Sequence, residues 1–442
     1  MDVSSDVFAV PAATAAPAPN TPPAPPKNAL ATAPPVPPSS VSETGIRRAI
    51  LEGLALKTLY LNGPFSLYEL SRQIKLTLEI TEELFERLRA DQLCSVTGMM
   101  GNVPNVAITG IGRTRALELL ALNQYAGVAP VSMESYTDRV RQQSVRNVEV
   151  HSEQVERAFA SLVMDRKTLW QLGTALNSGS SVFLYGPTGT GKTTIAETLS
   201  RVLAEDKIWI PYAVEVDGQI ITVYDPLVHK RVERPPVSDE RWALCHRPAV
   251  MVGGELTLEM LEMQFGPVTK YYTAPLQMKS NNGVLIIDDF GRQRVPPEAL
   301  LDRWVVPLDR RIDFLTLAGG KTIEVPFEML VVFATNRDPA QVLGDAFMRR
   351  VQTKIKIDAV SDEQFCEIFR RVAKDQGMSC DDRIPMGLAK FIREKIKEPL
   401  RPCYPRDILN QISWAARYEN QKAVLDEAAV NRAVEAYFLA PS

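Results

Sequence analysis

Long hydrophobic runs are missing from this chain of 442 residues. The longest, around Val284 and Met329, have the length of strands, whereas a membrane-crossing helix needs roughly 20 apolar residues. No membrane insertion is therefore expected. Histidine is scarce: His151, His229 and His246 do not share metal-ligand spacing, and His229 and His246 read as surface or packing residues. The five cysteines (Cys94, Cys245, Cys366, Cys380, Cys403) are scattered and form no CxxC pair. That pattern argues against a zinc site, and it suits a reducing cytoplasm with each thiol a small buried hydrophobe. A large excess of one charge is also lacking. The net charge of −3 supplies no global attraction to nucleic acid or to an acidic membrane. The opening MDVSSDVFAV has no basic segment followed by an apolar one, so it does not read as a signal peptide and a cytoplasmic location is expected.

Proline is plentiful, especially over residues 1–43, as in PAATAAPAPNTPPAPPKNALATAPPVPP. Almost nothing there can build a core, so the segment reads as a disordered, partly polyproline II tether. A ligand for a proline-binding module is the sharper reading, which a single sequence does not support.

Residues 44–123 change character. IRRAILEGLALKTLYL carries apolar residues at helical spacing. SLYELSRQI follows a Gly63-Pro64 break, with Ser66 as N-cap and Glu69 closing a capping box. ITEELFERLRADQL is a third helix, with Thr81 as its expected cap. Two β-like runs, CSVTG and NVAITGIG, precede a helical RTRALELLAL. Three helices and then a hairpin is the order of a winged helix. Nine Lys/Arg against eight Asp/Glu leave only +1 over this stretch. The would-be recognition helix opens with Glu79, Glu82, Glu83 and Glu86, the wrong sign for phosphates, so docking to protein is favoured over DNA. SYTDRVRQQS and SEQVERAFASLV then form a helical connector over 124–163.

SVFLYGPTGTGKTTIAETLSRVL holds the strongest signal. An apolar strand leads into Gly186-Pro187-Thr188-Gly189-Thr190-Gly191-Lys192-Thr193, followed by Thr194 and a helix with Ile195, Leu199 and Leu203 on one face. This strand, GxxxxGK[ST] loop and helix cradle phosphate. The glycines let backbone N–H groups converge on phosphate oxygens beside a helix N-terminus. Lys192 reaches the β- and γ-phosphates, and the Thr193 hydroxyl completes a magnesium shell. VLIIDDF is a second buried strand. Asp288 is placed to bind magnesium, and Asp289 stands where a water-polarising acid belongs, one methylene shorter than glutamate. MLVVFATN ends in Asn336, a polar tip beside the γ-phosphate. DAFMRR offers Arg349 and Arg350, and the sequence does not separate them. CYPRDILNQI places Arg406 on the first turn of a helix.

This set in this order resembles the AAA+ ATPases from about Met164 to the C-terminus. The resemblance implies an αβα core with a five-stranded parallel sheet (164–358) and a helical lid (359–442). It also implies ATP and Mg2+ bound between copies in a homo-oligomeric ring, commonly a hexamer. Arg349 or Arg350 would act in trans and Arg406 would sense phosphate from the lid. Asp-Asp at this strand end is similar to bacterial replication initiators and helicase loaders. GGELTLEML, APLQMKSNNGVLIIDDFGRQ and YPRDILNQI look similar to a bacterial group described as predicted ATPases with chaperone activity, sometimes associated with pilus assembly. The expectation is an ATP-hydrolysing remodeller of an unidentified protein client. The alternative is a DNA-associated ATPase of helicase-loader type.

The stretch between Lys192 and Asp288 exceeds what a compact core needs. IPYAVEVDGQIITVYDPLVHKRV alternates like a hairpin around Asp217-Gly218. Tyr271 and Tyr272 beside Lys270 suggest either grips on polypeptide or aromatic packing beneath the insertion, with packing favoured.

Overall fold

The computed structural model describes residues 33–101, 103–233, 237–339 and 349–438. At its centre five strands run parallel, in the spatial order Ala249–Val252, Val284–Ile287, Leu330–Thr335, Ser181–Tyr185, Thr353–Lys356. Every residue of Val284–Ile287 and Leu330–Thr335 is buried, as a sheet covered on both faces requires. The period-two alternation of side chains divides them between two cores. Val182, Leu184, Val284, Ile286 and Val332 meet Ile195 and Leu199 of the helix Lys192–Leu203. Phe183, Leu285, Ile287, Val331 and Phe333 meet Leu300, Leu301 and Trp304 of the helix Pro297–Arg310. Val145, Val150, Val155 and Phe159 join the first of these cores. The architecture is α/β with a parallel five-stranded sheet. Ser181–Tyr185 lies between the fourth and fifth strands in chain order, so the carboxyl ends of the sheet open a crevice there, where such sheets bind ligands.

Upstream, the helices Arg48–Asn62, Leu67–Ile74 and Leu78–Ala90 precede an antiparallel pair, Cys94–Met100 and Val103–Ile108, and a helix Gly110–Leu122. Phe65–Ser66 adds a third strand to the pair. The Ser66–Glu69 capping box forms: Ser66 Oγ accepts from Glu69 N at 3.2 Å, and the Glu69 carboxylate accepts from Ser66 N at 2.9 Å. Thr81, by contrast, does not cap its helix. The cap is Thr77, whose Oγ1 accepts from Ile80 N at 3.4 Å, while Thr81 Oγ1 donates to Thr77 O inside the first turn. Ile80, Leu84 and Leu88 are all buried, and that inner stripe draws the helix start back by one turn.

The insertions between the central strands, together with Val131–Ser132 from upstream of them, build a second, mixed sheet. Ala213–Val216 and Gln219–Thr222 form the expected hairpin, with Val216 opposite Gln219. Its turn residues Asp217 and Gly218 have φ of 50° and 86°, both positive as a type I′ turn requires. Ala213 and Ile220 belong to the core of the N-terminal helices, so those helices sit directly on the insertion. Tyr272 is 2% exposed, and its hydroxyl accepts from Ala318 N at 2.8 Å. Tyr271 meets Tyr125 edge to face at 5.5 Å. Both tyrosines are packing residues.

Among the described residues four α-helices follow the sheet, Asp362–Asp375, Arg383–Phe391, Cys403–Tyr418 and Glu427–Tyr437, with a π-helical turn Ile392–Ile396 after the second, around Phe365, Phe369, Leu388, Ile408 and Leu409. Among the described residues no helix is long and apolar enough to cross a membrane.

Candidate nucleotide-binding site

The loop Gly186–Gly191 leaves the carboxyl end of Ser181–Tyr185 in a conformation that only glycine tolerates at key points. Gly186 has φ 143°, and a Cβ there would stand 2.1 Å from Ile357 O. Gly189 has φ 81° and faces Cys403 Sγ, which a Cβ would meet at 2.8 Å. Gly191 caps the helix Lys192–Leu203 with no side-chain hydrogen bond, so the first-turn N–H groups point toward the loop without an intrahelical partner.

Lys192 is buried, and its Nζ donates to Gly186 O at 2.9 Å and Pro187 O at 2.7 Å. Burial lowers its pKa, and the carboxylates of Asp289 and Asp288 partly oppose that shift. The Thr193 hydroxyl donates to the Asp288 carboxylate, at 2.8 and 3.0 Å to its two oxygens. The acid pair is anchored by its backbone: Asp288 N donates to Val252 O at 2.8 Å, and Phe290 N to Ala334 O at 2.7 Å. Thr335 Oγ1 donates to Phe290 O at 2.7 Å. Asp289 itself is exposed, with φ 48°, a left-handed conformation uncommon outside glycine. From the neighbouring strand tip, Asn336 Nδ2 donates to Thr188 Oγ1 at 3.1 Å.

A cavity of about 430 Å³ gathers these groups. Thr188 to Thr194, Asp288, Asp289, Asn336 and Arg406 all line it; Gly186 and Pro187 are not part of the lining, and their carbonyls accept from Lys192 Nζ. Arg406 is exposed, with Nε 3.3 Å from Asp407 Oδ1. Arg349 and Arg350 are outside the lining. Arg350 Nε is bound to Asp309 Oδ2 at 2.8 Å, whereas Arg349 is exposed and makes no hydrogen bond or ion pair with another described residue.

Sequence reasoning missed one wall of the cavity. Leu162, Val163 and Met164 line it, together with Ile368, Val372 and Cys403 from the helices after the sheet. The only signal was an apolar run, LVM, just ahead of Asp165. Cys403 and Cys380 are half-buried, unlike the other three cysteines. Cys403 lines the cavity while also packing against the core of the C-terminal helices.

The donor set suits a divalent cation and triphosphate. Magnesium takes hard oxygen ligands and is held by one or two protein groups together with substrate phosphates. A hydroxyl and a carboxylate already in contact offer those groups. Among the described residues there is no cluster of three or more His, Cys, Asp or Glu side chains suited to a metal.

Residues 361–436 match a family described as "Domain of unknown function (DUF8689)". No curated protein matches the chain. Solved structures with detectable similarity include the Thermotoga maritima RuvB Holliday junction branch migration motor, at 16% identity and a TM-score of 0.36, covering 62% of this chain and 69% of that one. Domain III of the Thermotoga maritima replication initiation protein DnaA aligns at 13% identity and a TM-score of 0.37, covering 64% and 97% of the respective chains.

Proposed function

We propose that the chain is an ATPase of AAA+ type that binds ATP with Mg2+ and hydrolyses it in a ring of identical copies, a hexamer in the usual case, to remodel a protein client in the cytoplasm. The observation that carries this reading is a convergence: Lys192, the Thr193–Asp288 contact, Asp289 and Asn336 meet in one cavity at the carboxyl ends of three adjacent parallel strands. In this reading the N–H groups of the glycine loop and helix start hold the β-phosphate, and Lys192 swings from its loop carbonyls onto the β- and γ-phosphates. Thr193 and Asp288 hold the cation, which supplies charge neutralisation across the phosphates. Asp289 polarises the attacking water as general base. Asn336 orients that water, and Arg406 reports on phosphate from the helical lid.

Arg349 lies outside the cavity of its own chain and is unpaired within the described residues, which suits a guanidinium offered to the neighbour's phosphate. Arg350 holds Asp309 and takes the structural role. Residues 44–123 act as a winged-helix-like adaptor, 164–358 as the nucleotide core and 359–442 as the lid. Protein as client is supported by the helix Leu78–Ala90, where Glu79, Glu82, Glu83 and Glu86 carry the wrong charge for DNA. Glu83 is, moreover, ion-paired to Arg48.

Turnover measured against protein concentration tests the scheme. Specific activity should rise steeply as copies assemble; a rate per chain independent of concentration, in a preparation shown to be monomeric, would refute it. A gel-shift titration of the full chain on duplex DNA tests the client class. Tight binding that weakens steeply with salt would favour the DNA-associated reading instead.

A further inference from the structure

The proline-rich segment ahead of the first helix is seated in a groove. Pro35 and Pro38 are buried, while Pro34, Val36 and Pro37 face solvent, Val36 with 85% of its surface. Burial at every third residue is the repeat of polyproline II, the conformation that proline rings impose on themselves and on the residue before them. A polyproline II strand makes no hydrogen bonds of its own, which leaves its carbonyls free to be read. Two of them are read here. Ala33 O accepts from Arg139 Nη1 at 2.9 Å, and Pro35 O accepts from Asp239 N at 2.8 Å.

The groove around these contacts is built for the task. The Arg139 guanidinium lies 6.0 Å from the centre of the Trp242 ring, and Trp242 and Pro35 to Pro38 border one cavity of about 310 Å³. Donors set beside an aromatic ring are how proline-rich segments are recognised. Asp239, whose N–H is one donor, is fixed by a buried ion pair with Arg241 at 2.8 Å. A further space of about 570 Å³, between Pro38 and Tyr68, leaves room beside the segment.

The sequence carries the seated motif twice. Pro34-Pro35-Val36-Pro37-Pro38 has a forerunner twelve residues earlier, Pro22-Pro23-Ala24-Pro25-Pro26, which lies outside the described residues. The one difference falls at Val36, a side chain that faces solvent. In that sequence register Pro23 and Pro26 correspond to the two buried prolines, Pro35 and Pro38. Next along, Lys27 replaces Ser39, whose N and Oγ both donate to Glu43 at 2.8 Å, so the alternative residue brings a charge opposite to that of Glu43.

We propose that the groove formed by Arg139, Asp239 and Trp242 is a polyproline II reading site for Pro-Pro-x-Pro-Pro, and that Pro22–Pro26 is its second occupant, exchanging with Pro34–Pro38. The copy in the groove sets how much of the N-terminal arm is free and how tightly the N-terminal helices are strapped to the insertion. This site is independent of the nucleotide cavity.

The test uses the full chain carrying Pro23→Ala, Pro26→Ala, Pro35→Ala and Pro38→Ala, which removes both internal ligands. Fluorescent peptides of residues 18–28 and 30–40 are titrated by anisotropy. Both should bind this variant saturably and at least tenfold more tightly than they bind the parent, whose groove is filled in cis. Adding Arg139→Ala should weaken binding tenfold or more, and peptides with alanine at all proline positions should not bind. If the fourfold variant loses its cooperative thermal transition, the single variant Pro35→Ala carries the same comparison, with a smaller gain over the parent. Absence of binding to a folded variant overturns the proposal, as does equal binding to variant and parent or binding of the all-alanine peptides. Binding of the 30–40 peptide alone overturns the exchange with Pro22–Pro26.

Discussion

Replacing Asp289 with Asn should separate nucleotide binding from turnover. The substitution keeps shape and removes charge and basicity. The backbone that carries residue 289 is held by contacts other than its side chain: Arg292 N donates to Asp289 O at 2.9 Å, and Phe290 N to Ala334 O at 2.7 Å. Gln293 Nε2 reaches Asp288 O at 2.8 Å. The loop should therefore keep its conformation, and stability should change little. The carboxylate also helps hold the proton on Lys192; with phosphates in the cavity, losing that negative charge should leave ATP affinity equal or slightly tighter. A positioned general base contributes roughly 10²- to 10⁴-fold, which at 1.36 kcal/mol per decade corresponds to about 3–5 kcal/mol of barrier. A coupled turnover assay should show that loss in kcat, and equilibrium titration with a fluorescent nucleotide should show no loss of affinity. Parent-like turnover by a folded Asp289→Asn chain would remove Asp289 from the chemistry. A large drop in affinity would mean that the residue shapes the site and does not act on water.

Thr193→Ala removes the hydroxyl bound to Asp288; affinity for ATP with magnesium should fall on the order of 10- to 100-fold, while nucleotide binding in chelator changes far less in the same titration. Arg241→Ala should leave Asp239 buried and unpaired, and should also release the carbonyls of Thr44 and Pro130, each 3.2 Å from Arg241 Nη1. Breaking such a pair costs about 3–5 kcal/mol, so calorimetry should show an earlier transition. Lys57, which donates to Asn123 O at 3.0 Å, has its pKa pushed down by burial to about 8 from 10.5. Between those values the unfolded chain keeps a proton that the folded chain has released, so stability should rise with pH across that window. Urea midpoints at pH 7.5 and 9.5 should show this rise in the parent and lose it in Lys57→Met.

The parts of the fold that the sequence shows best are those in which local pattern and tertiary role coincide. The run SVFLYGPTGTGKTT joins a buried strand, glycines with positive φ and a helix start in one continuous segment, and Asp217-Gly218 supplies both residues its turn demands. The acid pair follows an apolar run fully buried in the sheet. What stayed hidden depends on partners far away in the chain. Ala249–Val252 is the edge strand of the parallel sheet and buries only alternate residues, so within RPAVMVGGE it does not look like a core strand. Two-residue strands such as Val131–Ser132 and Tyr272–Thr273 join the hairpin of the insertion from distant points in the chain, and two residues carry no periodicity. Thr77 outcompeted Thr81 as a cap because Ile80 is wanted inside. Arg241 appears in the sequence as one charge among many, yet it is buried and bonds to Thr44 at the start of the N-terminal unit and to Pro130 in the connector. The seated prolines show the same limit: composition indicates an extended strand, and only the fold reveals a groove under every third residue.

Mixing two inactive variants tests the shared site most directly. Lys192→Ala disables the phosphate cradle but keeps Arg349, and Arg349→Ala keeps the cradle but lacks the exposed guanidinium. Each alone should be nearly inactive, since an arginine acting in trans is worth about 10³- to 10⁵-fold. Their mixture should regain turnover, because mixed rings place an intact cradle beside an intact arginine. If Arg349→Ala alone hydrolyses ATP like the parent, or if co-assembled mixtures stay inactive, the site does not lie between copies as proposed.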